Sequence, residues 1–158
     1  MKVFDTLRTL LLGLSAAGCV TAPPLPAHRD VVLLTDFGLR DDAVGLMRGV
    51  IRSIAPDSVI SDLTHEVPAW DVGAGSRLLS AAPDIFPPGT IFIAVVDPGV
   101  GTARRGLVAR LPQGSVVVAP DNGLISGLLK RHSEVECRSL DNPALFLGEV
   151  STTFHGRD

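Results

Sequence analysis

The sequence contains no tyrosine and a single tryptophan, and aromatic residues make up 4% of its 158 positions. Positive charge is also scarce, because 14 lysines and arginines stand against 17 acidic residues, for a formal net charge of −3. Proteins that bind nucleic acid usually present a basic face and aromatic platforms for the bases. The composition therefore argues against a nucleic-acid partner.

Cysteine is equally sparse. Cys19 and Cys137 form neither a Cys-x-x-Cys pair nor a spacing typical of zinc ligands. The chain is long enough for one hydrophobic core and too short for two full domains. We therefore expect one domain that is not built around a metal or a disulfide framework.

The N-terminal residues have the order of a secretory leader: Lys2 and Arg8, the apolar run Leu10–Leu14, small residues, and then Cys19. The apolar run is too short to span a bilayer. This order predicts a signal at residues 1–19 that ends at a bacterial lipoprotein cleavage site, with lipidation of Cys19 and a location in the cell envelope. An acidic residue, Asp5, departs from the pattern. An uncleaved leader or a misassigned start therefore stays open, and the protein would then be cytoplasmic.

A proline-rich stretch, residues 20–30, follows the leader and is predicted to be an extended tether. Beyond it, short β-branched runs alternate with amphipathic segments. They predict strands at residues 31–35, 59–64 and 90–96 and helices at residues 43–54 and 71–82. This alternation predicts an α/β fold, a layered, mostly parallel sheet with flanking helices in an α/β/α sandwich.

The second half of the chain is predicted to add a hairpin, a helix and a last strand. The hairpin joins residues 106–111 to residues 115–119 through Pro112-Gln-Gly114. The helix is predicted at residues 124–130 and the strand at residues 135–140. Asn122, in the Asp-Asn-Gly turn before the helix, is predicted to form a hydrogen bond within that turn. The chemistry-bearing residues follow the first three strands.

Asp36 follows the first strand, Asp62 and His65 the second, and Asp97 the third, with Arg104 a short loop further on. Open α/β sheets bind ligands at the carboxyl ends of their strands. Structural roles stay open at the same positions, because Asp97 could cap a turn, Asp36 a helix, and His65 could be a satisfied structural histidine near a turn.

The carboxylates and histidines also admit a metal-dependent phosphoesterase. Its ligands would come from Asp36, Asp62, His65, Asp97, Asp121 and His155. No pair has a compact ligand spacing, so this pattern is weak and we expect no metal site.

Five motifs occur in order between residues 31 and 158. They are Thr35-Asp-Phe-Gly38, Asp62-Leu-Thr-His65, Val96-Asp-Pro-Gly-Val-Gly101, Ala119-Pro-Asp-Asn-Gly123 and Ser151-Thr-Thr-Phe-His-Gly-Arg-Asp158. Their order and spacing resemble the S-adenosylmethionine hydroxide adenosyltransferase family, which is related to fluorinase and chlorinase. The resemblance implies that residues 31–158 are the family's N-terminal α/β domain. Members carry a second, barrel-like domain after the last motif, so we expect a truncated chain whose full-length form is a homotrimer.

The resemblance also implies an activity: metal-independent hydrolysis of S-adenosylmethionine, without a cofactor, by attack of water on the ribose C5′. Asp97, Arg104 and His155 match the family's catalytic positions, Asp36 matches the carboxylate that binds the ribose, and Trp70 lies where an aromatic residue meets the substrate. A lone tryptophan after Pro68 could instead pack in the core. His155 favours a hydrolase over a halogenase, because fluorinase-like members carry a different residue there.

Two observations leave alternatives to this activity. Without the second domain, the N-terminal domain has one half of the active site and should be inactive alone. The leader would also export the protein away from a cytoplasmic substrate. A lipid-anchored module that binds adenosine or another nucleoside without turnover is therefore the second hypothesis.

Overall fold

The computed structural model describes residues 30–148 and 151–158. The predicted leader, Cys19 and nearly all of the predicted tether lie outside the described residues. Asp30, predicted as the end of the tether, instead opens the first strand. No helix in the described ranges is long and apolar enough to cross a membrane.

The described residues form six strands and three α-helices. The strands are β1 (Asp30–Thr35), β2 (Val59–Thr64), β3 (Ile91–Val95), β4 (Gly106–Arg110), β5 (Val116–Pro120) and β6 (Glu136–Leu140). The helices are α1 (Ala43–Ile54), α2 (Val72–Ile85) and α3 (Ser126–Arg131), and a short 3-10 helix covers Pro143–Leu145.

The strands form one sheet in the order β2-β1-β3-β5-β4-β6. Strands β2, β1, β3 and β5 are parallel, and β4 runs antiparallel between β5 and β6. The prediction of an α/β fold with a mostly parallel sheet is confirmed. The predicted hairpin is the β4–β5 pair.

Alternating residues of β1 face two cores, as the period of a strand requires. Val32 and Leu34 belong to the larger core, beneath α2 and α3. Val31 and Leu33 belong to a smaller core with Met47 of α1. The sheet therefore has helices on both faces, and its four parallel strands are adjacent, from the edge strand β2 to β5.

Helix α2 forms despite its glycines because one of them permits close packing. A Cβ on Gly75 would lie 2.8 Å from Leu124 Cδ1 and 3.1 Å from Val96 Cγ2. The side chain of Asp71 caps the helix by accepting the N–H of Ala74 at 2.8 Å. The close approach brings the start of α2 against the end of β3.

Two helix boundaries differ from the predictions. Helix α2 continues through Pro83 to Ile85, because a proline in the last turn removes one helical hydrogen bond and Phe86 N–H still reaches Ala82 O at 3.2 Å. Helix α3 begins two residues later than predicted. The side chain of Asn122 accepts the N–H of Leu124 at 3.1 Å and so holds a turn there.

Candidate active site

The carboxyl ends of β1 and β3 bring Asp36 and Asp97 to the same end of the parallel strands, which we call the carboxyl edge of the sheet. The strands are parallel neighbours, and Thr35 is paired with Val95. Asp36 follows that pair directly, and Asp97 follows it by two residues. The carboxyl edge is where open α/β sheets bind ligands.

Asp97 and Arg104 form a buried ion pair. Arg104 Nε donates to Asp97 Oδ2 at 2.6 Å, and its terminal nitrogen contacts the same oxygen. The side chains are 4% and 15% exposed. Low exposure reduces solvent screening, so the Coulombic attraction within this pair is stronger than in a surface ion pair.

The glycine-rich turn between these residues folds Arg104 back. Gly99 N–H donates to Asp97 Oδ1 at 3.2 Å, and the Thr102 hydroxyl donates to Gly99 O at 2.7 Å. Gly101 has a φ of 79°, a left-handed conformation that suits glycine. The backbone of this turn therefore sets the geometry of the ion pair.

His155 belongs to a loop that is closed on itself and seated on the sheet. Ser151 N–H donates to Asp158 Oδ2 at 2.6 Å, which joins the two ends of the loop. A Cβ on Gly101 would lie 2.5 Å from Thr152 O, and a Cβ on Gly156 would lie 3.0 Å from Val95 Cγ2. The two glycines therefore allow the His155 loop to pack against the Asp97 turn and β3.

A cavity of about 210 Å³ lies at this edge. Its lining includes Asp36, Phe37, Trp70, Asp97, Phe154 and His155. Four of the five residues assigned to catalysis or substrate binding from the sequence thus share one cavity. The fifth, Arg104, is joined to it through Asp97.

Trp70 is unusual in its backbone and its exposure. Its φ is 66°, and Trp70 is 62% exposed. Its backbone N–H donates to Asp36 Oδ2 at 2.9 Å. A non-glycine residue in this conformation is strained, and such strain often accompanies binding sites.

A second cavity of about 270 Å³ lies against the first. Arg104, Gly106, Leu140 and Asp158 are among its lining residues, and Val95, His155 and Gly156 line both cavities. Arg104 therefore reaches the second cavity while its partner Asp97 faces the first. The ion pair and His155 form part of the wall between them.

Four of the six residues considered as metal ligands are held in polar pairs with other side chains. Asp97 pairs with Arg104, Asp121 with Arg105, and Asp62 with both Arg48 and His65. Across residues 30–148 and 151–158, no three histidine, cysteine, aspartate or glutamate side chains form a group suited to a metal ion. The geometry gives the phosphoesterase hypothesis no ligand cluster.

The pKa of Asp62 is lowered by its neighbours. Burial alone would raise its pKa, but hydrogen bonds from Arg48 and His65 and the positive charge of Arg48 together hold the pKa below its ordinary value of 3.8. Asp62 is therefore a carboxylate at neutral pH.

Three further residues support the site beyond those assigned from the sequence. Phe37 and Phe154 pack edge to face with ring centroids 5.6 Å apart, which joins the β1 turn to the His155 loop. Asn122 Nδ2 donates to Val96 O at 2.8 Å, next to Asp97. The sequence predicted a hydrogen bond of Asn122 within its own turn, and that bond also forms.

The fold and the cavity define an α/β domain with a candidate small-molecule site at the carboxyl edge of its sheet. The family model described as the SAM hydroxide adenosyltransferase N-terminal domain matches residues 31–158. The chain belongs to this family, as the five motifs predicted.

Relatives of two kinds match the chain. The (R)-S-adenosyl-L-methionine hydrolase of Salinispora arenicola is 40% identical over 125 residues, covering 78% of this chain and 47% of that protein. The fluorinase of Nocardia brasiliensis is 27% identical over 150 residues, covering 81% and 50%. The chain thus spans about half the length of these curated relatives.

A solved structure supports the fold. A crystal structure of an uncharacterized conserved protein from Thermotoga maritima matches with a TM-score of 0.78 and 41% identity. The match covers 81% of this chain and 49% of that one.

Proposed function

We propose that the protein is an S-adenosylmethionine hydrolase that acts without a metal and releases adenosine and methionine. The observation that carries the proposal is the buried Asp97–Arg104 pair at a cavity that Asp36 and His155 also line. Asp97 and His155 line the same small cavity, and Arg104 is bonded to Asp97 in the wall behind it. These groups suit the activation of a single water molecule.

The chemistry requires little of the leaving group. The substrate is a sulfonium, and displacement at its ribose C5′ releases a neutral thioether, so the leaving sulfur takes up no proton. The water loses one proton as its oxygen bonds to carbon. Arg104 would stabilise the developing hydroxide character, and Asp97 and His155 would orient the water and accept its proton.

Asp36 and Trp70 would hold the nucleoside. A carboxylate can accept hydrogen bonds from both ribose hydroxyls. One oxygen of Asp36 already accepts the N–H of Trp70, which fixes the carboxylate relative to the exposed indole. The ribose would therefore contact Asp36, and the adenine next to it would contact the indole of Trp70.

Two features favour hydrolysis over halogenation. The identity to the Salinispora arenicola hydrolase, 40%, exceeds the 27% identity to the Nocardia brasiliensis fluorinase. His155 occupies the position at which fluorinase-like members differ. An imidazole can accept a proton from water, and a halide nucleophile has no proton to give.

The homotrimer, the second domain and the lipid anchor at Cys19 stay predictions from the sequence. A nucleoside-binding module without turnover is the competing hypothesis. Both functions place adenosine in the same cavity, so binding alone does not separate them.

The test incubates the full-length protein with S-adenosylmethionine in water enriched in oxygen-18. We expect adenosine and methionine as products, with the heavy oxygen in the 5′-hydroxyl of adenosine. A folded protein that binds adenosine but releases none from the substrate would favour the binding module. Label-free adenosine would contradict attack of water at C5′. Activity that is lost on adding a chelator would contradict the metal-independent mechanism.

A further inference from the structure

One buried polar cluster beside the cavity has no part in the proposed reaction. His65 is 3% exposed, and each of its ring nitrogens has a polar neighbour. Nδ1 lies 2.8 Å from the hydroxyl of Thr35, and Nε2 lies 3.0 Å from Asp62 Oδ1. The other oxygen of Asp62 contacts Arg48.

The donors in this cluster can be assigned from its chemistry. The Asp62 carboxylate only accepts, so the proton of the neutral His65 ring is assigned to Nε2, the nitrogen that faces it. In the neutral ring Nδ1 then accepts, and the Thr35 hydroxyl donates to it. The carboxylate at the end of the series thus favours one tautomer of the neutral ring.

A hydroxyl, an imidazole and a carboxylate in series are also the parts of a nucleophilic triad. Burial rules out that role here. Thr35 is fully buried, with 0% exposure, and the lining of the 210 Å³ cavity does not include it. Its oxygen therefore cannot attack a substrate.

The Thr35 hydroxyl acts instead on the turn that carries Asp36. It accepts the N–H of Phe37 at 3.2 Å, so one hydroxyl bonds to the residue on the far side of Asp36 while it donates to His65. The backbone adds to this connection, because Gly38 N–H donates to His65 O at 2.7 Å.

We propose that Thr35, His65 and Asp62 are positioning residues that set the Asp36 carboxylate for the ribose hydroxyls. The proposal rests on the proposed function only in taking Asp36 as the ribose contact. Asp36 meets the ribose in substrate and transition state alike. Loss of the cluster should therefore weaken binding and raise KM while kcat stays nearly constant.

The experiment pairs one protein variant with one ligand change. Thr35→Val removes the hydroxyl and keeps the branched shape, and Thr35→Ser restores the hydroxyl. Binding of adenosine and of 2′,3′-dideoxyadenosine, which lacks the ribose hydroxyls, is measured by calorimetry on the full-length protein. KM and kcat for S-adenosylmethionine are measured on the same preparations.

In Thr35→Val, we expect the Kd for adenosine to rise about tenfold, as for loss of a buried hydrogen bond, and the Kd for the dideoxy ligand to change less than about twofold. Thr35→Ser should recover most of the adenosine affinity. Equal weakening of both ligands would show a merely structural role and overturn the proposal. Unchanged adenosine binding would overturn it too.

Asp62→Asn provides the same comparison if Thr35→Val does not fold, because Asp62 lies at the solvent-facing end of the cluster. Its matched control is Asp84→Asn, in the remote cluster of Asp84 with Arg131 and His132. Asp62→Asn should weaken the binding of adenosine more than that of 2′,3′-dideoxyadenosine. Asp84→Asn should weaken the binding of neither ligand.

The outcomes separate this inference from the proposed function. The variants could weaken adenosine binding selectively in a protein that hydrolyses no S-adenosylmethionine. That result would contradict the hydrolase and support the positioning role. Hydrolysis by a protein that binds adenosine and its dideoxy analogue equally would contradict the ribose contact, and with it the positioning role.

Discussion

Two clusters in this protein have the same composition, an aspartate in contact with an arginine and a histidine. They are Arg48–Asp62–His65 and Arg131–Asp84–His132. Their aspartate side chains are almost equally exposed, at 34% and 33%. Their histidines differ, since the side chain of His65 is 2% exposed and that of His132 is 16% exposed.

The clusters also lie at opposite ends of the parallel strands. His65 follows β2 at the carboxyl edge and reaches Thr35 beside Asp36. Asp84 lies in the last turn of α2, which has run back to the amino edge, and its partners end α3. The first cluster therefore joins two strand ends at the cavity, and the second fastens one helix to another. Residue composition alone does not distinguish these roles.

The comparison predicts that substitutions of the residues at or beside the 210 Å³ cavity change kinetics and that substitutions in the Asp84 cluster do not. The largest effect should come from Arg104→Ala. We expect kcat for S-adenosylmethionine hydrolysis to fall about 100- to 1000-fold, as for loss of one electrostatic contact to the transition state. Steady-state kinetics on the full-length protein would measure it.

Arg105→Ala is the matched control, since Arg105 is the adjacent arginine, 67% exposed in its side chain and paired with Asp121. It should change kcat less than about threefold. Equal losses in both variants would contradict the role of the buried pair.

Asp36→Asn should have the next largest effect, on KM. Loss of the charge weakens the acceptor for the ribose hydroxyls in substrate and transition state alike. We expect KM to rise about 10- to 100-fold while kcat changes less than about threefold. A fall in kcat at constant KM would place Asp36 in the chemical step instead.

The pH dependence of stability should distinguish the clusters more finely. The folded pKa of Asp62 lies below its ordinary value of 3.8, so its stabilisation is complete above the unfolded pKa and is lost as pH falls through the folded pKa. Urea unfolding of the wild type and Asp62→Asn should therefore differ by a constant free energy above about pH 5, and the difference should shrink below about pH 4. A difference that grows on acidification would contradict this sign.

Asp84→Asn should have the smallest effect. The side chains of Asp84 and Arg131 are 33% and 52% exposed, and exposed ion pairs contribute about 1 kcal/mol or less. Urea unfolding should show a change of that size, with KM and kcat as in the wild type. A tenfold change in KM or kcat would contradict the expectation that the Asp84 cluster has no role in substrate binding or catalysis.

Much of the fold was predictable because its signals are local. Apolar runs alternating with amphipathic segments predicted β1 to β3, α1 and α2 within a few residues. The order of strands in the sheet came from pairing across the chain, which no local pattern contains. The end of α2 was also missed, because a proline usually ends a helix and here lies where one lost hydrogen bond is tolerated.

The site was predictable in its residue types and only partly in its contacts. The short loop from Asp97 to Arg104 indicated that they could meet, and the Asp-Asn-Gly turn indicated a local bond of Asn122. Three contacts had no signal of this kind. They are Asn122 with Val96, Phe37 with Phe154, and Thr35 with His65.

The sequence by itself determined the α/β class, the five ordered motifs and the family, because periodicity and motif spacing are properties of the chain. Tertiary structure decided which charges are buried. Asp97 is enclosed with Arg104, whereas Asp121 and Arg105, similar in composition, lie at the surface. It also decided that Thr35 is inaccessible and bonded to His65, because burial depends on how elements distant in the sequence pack together.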